Sequence, residues 1–203
     1  MNIKQMRDGT WFGGLLENIL DTLTPNPDEI RVEGTPPEMT RKAARAAFLI
    51  STGASIPTGP IGLATIIPEL ISLTKIQISL IYKIAKFYNH EAKVNQPIIL
   101  AVFGSAMGVV LKHVIISEDG SRVIVKTLSS EGAQKIAGEI GEKMGAGLLR
   151  RGFGRWLPIV LAPVFGYFSL SLTRRIGQEA EKLFRQEIEM EVPYKGPLTE
   201  AAT

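Results

Sequence analysis

Residues 53 to 89, GASIPTGPIGLATIIPELISLTKIQISLIYKIAKFYN, constrain the fold more than any other stretch. Pro57, Gly59, Pro60 and Gly62 punctuate its approach, and no Gly or Pro follows between Pro68 and Tyr88. Pro68 is placed in the first turn of the helix that this run predicts, where its missing N–H has no partner to lose. Apolar residues recur at 67, 70, 71, 78, 81, 85 and 88, and a second set falls at 73, 76, 80, 84 and 87. The helix is therefore apolar around most of its circumference. What remains polar is a narrow stripe of Ser72, Lys75, Ser79, Lys83 and Lys86 at helical spacing. Such a helix must sit at the centre of a helical core or partly in lipid.

The 203 residues fall within the range of one large domain, able to bury roughly 70% of its unfolded surface. An apolar fraction of 45% and a mean hydropathy of +0.13 are too low for a polytopic membrane protein. The net charge is only +3, and the basic residues are not clustered as nucleic-acid binding requires, so no nucleic-acid partner is expected. There is no Cys, which removes disulfides, thiolate metal sites and Cys nucleophiles and leaves the redox compartment open. The N-terminus MNIKQMRDGTWFGG has no apolar run after its basic residues, so no cleaved signal peptide is expected.

Residues 1–24 contain the amphipathic run TWFGGLLENILDTL, expected as a helix on the core because its polar face carries Glu17 and Asp21. A Pro-rich linker occupies 25–39. Thr35 and Glu38 bracket Pro36–Pro37 as a capping box, predicting a helix from there to about Gly53. Asn89, a residue that tolerates the left-handed conformation, is a fitting stop for the central helix. Residues 97–113 predict another helix with Pro97 at its start. VIISEDGSRVIVK at 114–126 resembles a short β-hairpin turning at Asp119–Gly120, although both of its runs also suit helix. Residues 130–150 predict a helix with a small-residue stripe at Ala133, Ala137, Gly141 and Gly145. After the basic joint LLRRGFGR, an uncharged segment from Trp156 to Thr173 is closed by Arg174 and Arg175, with an amphipathic helix continuing to about Met190. Residues 191–203 read as a flexible tail.

Three stretches carry no Asp, Glu, Lys or Arg: 46–68, 94–111 and 156–173, of 23, 18 and 18 residues. Each approaches the roughly 20 residues a membrane span needs. Prolines and glycines in the first and third, and Asn95–Gln96 in the second, argue against simple spans. Their borders are mostly basic, which suits both an anionic lipid surface and a soluble bundle with its helix ends in water.

The chain resembles the EcsC family of bacterial proteins and, more distantly, the YcjF-like domain of membrane-associated GTPases. The resemblance rests on IPTGPIG (56–62), IIPELISLTKIQISLIYKIAKFYN (66–89) and LLRRGFGRWLPIVLAPVFGYFSLSLTRRIGQEAEKLF (148–184). Asn89 stands where these families usually have Gly, and Val164, Phe165, Tyr167 and Phe168 are bulkier than the family's small-residue run. The resemblance implies a helical, membrane-associated domain over 40–190, and it carries no catalytic residue set. The positions it and the patterning single out for structure or membrane contact are Pro57, Gly59, Gly62, Pro68, Glu69, Lys75, Lys83 and Tyr88. Arg155, Trp156, Pro163, Gly166, Arg174 and Arg175 complete them.

His90 and His113 lack metal-ligand spacing, GASIPTGPIG lacks the Lys-Ser/Thr of a phosphate loop, and no Ser/His/Asp arrangement is supported. No cofactor and no metal are implied. Glu69 reads either as a first-turn carboxylate or as a buried acid paired with Arg174 or Arg175.

The expected fold is all-α, one domain of about six to eight helices with 66–89 and 156–188 at its centre. The leading expected function is a non-catalytic domain, peripheral or partly embedded on the cytoplasmic face of a membrane, acting as scaffold or accessory to a membrane assembly. The second is a soluble cytoplasmic module that binds a lipid or other apolar ligand in a groove between those two helices; an unrecognised enzyme is the third. The partners implied are membrane lipid or an apolar ligand, and a membrane protein.

Overall fold

The first helix, α1 (Pro36–Gly53), begins where the capping box places it: the Thr35 N–H donates to Glu38 Oε2 at 2.9 Å, and the Met39 N–H to the Thr35 carbonyl at 2.9 Å. A computed structural model describes residues 30–53, 60–109, 115–118, 122–126, 128–149 and 158–190, together with Ile19. After α1 come α2 (Pro60–Phe87), a short 3-10 turn (Glu91–Lys93), α3 (Gln96–Ala106) and strands β1 (Ile115–Glu118) and β2 (Arg122–Val125). Then follow α4 (Ser130–Leu149), α5 (Pro158–Phe184) and β3 (Glu187–Met190). The described residues are mostly helical, with five α-helices rather than six to eight. Pro57, Gly59, Arg155 and Trp156, the expected helix in 1–24 (Ile19 apart) and the 191–203 tail lie outside the described residues.

α2 starts at Pro60, so Pro68 lies inside it and not in its first turn. Pro60 takes the first helical position, and Pro68, expected in the first turn, falls two turns further in. Pro68 is exposed, and its carbonyl accepts from Ser72 Oγ at 2.9 Å. At the other end Asn89 takes φ 58°, and the His90 N–H closes back onto the Ala85 carbonyl at 2.8 Å. That is the left-handed stop expected of Asn89.

α3 is shorter than the helix expected over 97–113. Asn95 caps its start by accepting from the Ile98 N–H at 3.1 Å. Gly108 at φ 69° ends it, with the Val109 N–H returning to the Gly104 carbonyl at 2.8 Å. All residues from Ile98 to Gly104 are buried, so this uncharged stretch is protein interior. It packs on α5 and α4, whose Ala133, Ala137 and Ile140 are buried.

The all-α expectation is corrected by a three-stranded sheet in the order β1-β2-β3. β1 and β2 form the antiparallel hairpin, with Ile115 opposite Val125 and Glu118 opposite Arg122. β3 pairs parallel to β2, Val123 opposite Ile188, where the sequence reading carried the last helix on to Met190. Helical spacing and strand alternation compete over so short a run, and Ile188 fits both. The strand prevails: Ile188 is buried between exposed Glu187 and Glu189, and Arg122 meets Glu189 at 3.2 Å across the pair.

Candidate functional site

α1 and α5 run antiparallel, held close by two glycines of α5. A Cβ on Gly177 would meet Thr40, its Cβ only 2.8 Å away, and one on Gly166 would meet Thr52 and lie 2.9 Å from the Phe48 ring. Between these points Ser51 Oγ and Ser169 Oγ share a buried hydrogen bond of 2.7 Å. α2 joins parallel to α5, with Gln77 Nε2 donating to Thr173 Oγ1 at 3.2 Å in the interior. Glu69 is half-buried on α2, and burial raises its carboxyl above the ordinary value of 4.5, against the opposing influence of the Ser51 hydroxyl beside it. Ser51 of α1 thus lies between Ser169 of α5 and Glu69 of α2.

This topology brings three uncharged half-helices to one end. Residues 46–53 of α1, 60–74 of α2 apart from Glu69, and 158–173 of α5 carry no charge. Because α1 runs against the other two, its C-terminal half lies beside their N-terminal halves. Where each helix leaves that end, the first cations are exposed: Arg45, Lys75, and Arg174 with Arg175. At the uncharged end Leu49 is 67% and Tyr167 69% exposed, each one residue from the Phe48–Gly166 contact. Among the described residues no helix is long and apolar enough to cross a membrane.

On its other side α1 also packs on α2, though less closely than on α5. The space between them is an open groove of about 760 Å³, within the usual range of ligand sites. It is lined by Ile30, by Met39, Ala43 and Ala46 of α1 and by Ile76 and Leu80 of α2; Ile30, Met39 and Leu80 are buried, so Ala43, Ala46 and Ile76 supply its apolar surface. Lys42 forms one lip and Lys75, Ser79 and Lys83 the other, joined by Arg31 and Glu33. Lys75 and Lys83 are eight residues apart, about 12 Å along the helix. Glu33 approaches Lys42 at 3.8 Å with both side chains largely in water, a contact of little energetic weight. Among the described residues neither Lys75 nor Lys83 forms an ion pair. Among the described residues, four cations and one carboxylate border the groove.

The singled-out residues are not all brought together. Lys75 and Lys83 line the groove, Gly166 lies in the α1–α5 seam, and Arg174 and Arg175 are exposed on α5. Gly62 and Pro163 fall within α2 and α5. Tyr88 follows α2, edge-on to Phe87 with ring centroids 5.1 Å apart, and hydrogen-bonded to Arg185. Glu69 is on the third turn of its helix and finds Ser51, while Arg174 and Arg175 point to solvent. The groove lies between α1 and α2, whereas the sequence reading sought it between 66–89 and 156–188. Ser51, Ser169, Lys42 and the 30–33 segment were missed. The Lys75–Ser79–Lys83 stripe was the one signal, and it named only half of the groove. Among the described residues no cluster of His, Asp and Glu is placed to hold a metal ion.

Comparison with protein-family models, with curated proteins and with solved structures gives no match to this chain.

Proposed function

We propose that the chain is a non-catalytic, membrane-associated domain that rests the uncharged end of its α1–α2–α5 layer on an anionic bilayer. In that position it serves as scaffold or accessory to a membrane assembly on the cytoplasmic face. One observation carries the reading: three uncharged half-helices share an end, and Arg45, Lys75, Arg174 and Arg175 stand exposed behind it. Apolar side chains such as Leu49 and Tyr167 would enter the headgroup region, and the cations would meet lipid phosphates within a Debye length of the surface. The resemblance of 56–62, 66–89 and 148–184 to the EcsC family supports the same reading.

Sedimentation with vesicles tests it. The protein is expected to pellet with phosphatidylglycerol-rich vesicles at low salt, to be released in part as salt rises, and to bind pure phosphatidylcholine weakly. Leu49→Glu with Tyr167→Glu is expected to abolish pelleting without lowering Tm, since both side chains are exposed. Complete recovery of the unaltered protein in the supernatant at low salt would overturn the reading.

A further inference from the structure

We infer that the α1–α2 groove is a binding site for a single-chain anionic amphiphile, one acyl chain ending in a carboxylate or phosphate. This goes beyond membrane contact, because the occupant is one molecule held within the protein and taken up without a bilayer.

The inference rests on how two helices divide the labour. On α2, Ile76 and Leu80 lie one position on from Lys75 and Ser79, so one face supplies both an apolar floor and a cationic edge. On α1, Met39, Ala43 and Ala46 repeat at three- and four-residue spacing beside Lys42. The two alanines keep the floor low, which leaves the groove open where larger residues would fill it. Since α1 and α2 are antiparallel, Lys42 and Lys83 share one end of the groove with Arg31, while Ala46 and Lys75 share the other.

Among the described residues three cations, Arg31, Lys42 and Lys83, and one carboxylate, Glu33, border that end, which favours an anionic head there, with the chain running along the partly exposed Ala43, Ala46 and Ile76. A neutral lipid would leave these cations unanswered. A fully apolar ligand would gain nothing from them. Charge-assisted hydrogen bonds from Lys and Arg to a carboxylate or phosphate are among the strong ones, and partial exclusion of water by the chain strengthens them further.

Titration calorimetry with laurate below its critical micelle concentration tests the site, with monolaurin as the neutral counterpart of equal chain length. The full chain is expected to bind laurate saturably, one to one, about tenfold more tightly than monolaurin. Lys83→Gln with Lys42→Gln is expected to remove that tenfold preference and leave monolaurin binding unchanged. Ala43→Phe, which fills the floor, is expected to abolish both. Should Ala43→Phe fail to fold, the double Gln variant still decides. No saturable laurate binding, equal affinity for the two amphiphiles, or laurate binding indifferent to the Gln and Phe variants would each overturn the inference. Vesicle pelleting by Ala43→Phe, and laurate binding by Leu49→Glu with Tyr167→Glu, separate a failure here from a failure of the membrane reading.

Discussion

On the side of α1 that faces α5, Gly166 and Gly177 bring two helices so close that a single methyl group would collide with Thr52, Phe48 or Thr40. On the side that faces α2, the alanines at 43 and 46 are just as small, yet the two helices pack less closely and an open groove of about 760 Å³ runs along their contact. Small residues therefore do not by themselves draw helices together. The seam closes because small residues meet small or polar partners that interlock, Gly177 with Thr40 and Ser169 with Ser51. Long cationic side chains border the groove, and closing it would desolvate Lys75 and Lys83, which form no ion pair among the described residues.

The largest effect should come from filling the seam. Gly177→Val puts a branched side chain against Thr40, which is buried and whose Oγ1 has no partner. Overpacking of this kind costs about 3 kcal/mol, roughly 6 to 12 °C in Tm for a chain of this size. A thermal melt within 1 °C of the unaltered protein would mean that the helices can part at little cost. The seam would then be no tighter than the groove.

The opposite outcome is expected across α1. Ala43→Leu adds three carbons, as Gly177→Val does, but it adds them at a partly exposed position in the groove. Stability should change by no more than about 0.5 kcal/mol. A loss as large as that of Gly177→Val would show that the groove is closed in solution.

Reading the sequence against this pair of surfaces shows where its signals end. The cap at Thr35–Glu38, the stop at Asn89, the hairpin around 115–125 and the helix over 130–149 were legible because each depends on a few adjacent residues. The early start of α2 was not, because Pro60 and Pro68 are both acceptable at a helix N-terminus and only tertiary packing chooses between them. β3 was hidden because its pairing with β2 spans more than sixty residues of chain. For the groove, Lys75 and Lys83 stood out as a stripe on an apolar helix, but Lys42 lay in an ordinary basic first half of α1. Nothing local told that the two would face each other. Likewise Ser51 and Ser169 looked like ordinary polar residues at the edges of apolar runs, and their hydrogen bond joins positions far apart in the chain.

The smallest effect concerns the point where α2 does reach the seam. Glu69 lies beside Ser51, which is itself bonded to Ser169, and burial raises its carboxyl above 4.5 in the folded chain. The folded state therefore holds this proton more tightly than the unfolded state does. Between 4.5 and the raised folded value stability falls as pH rises, and above it the penalty on the charged form is complete. Glu69→Gln keeps an acceptor for Ser51 and removes the charge, so it should be the more stable protein at pH 7. The side chain is only half-buried, and solvent screening limits the gain to a few tenths of a kcal/mol. The difference in Tm between the two proteins should shrink as pH is lowered toward 4.5, which parallel melts at pH 7, 6 and 5 would read. A loss of stability in the Gln variant at pH 7, growing with pH, would mean that the carboxylate is held by a cation. α2 would then be fastened to the seam by charge, and the interlocking of small polar groups would no longer account for why that end is closed and the groove is not.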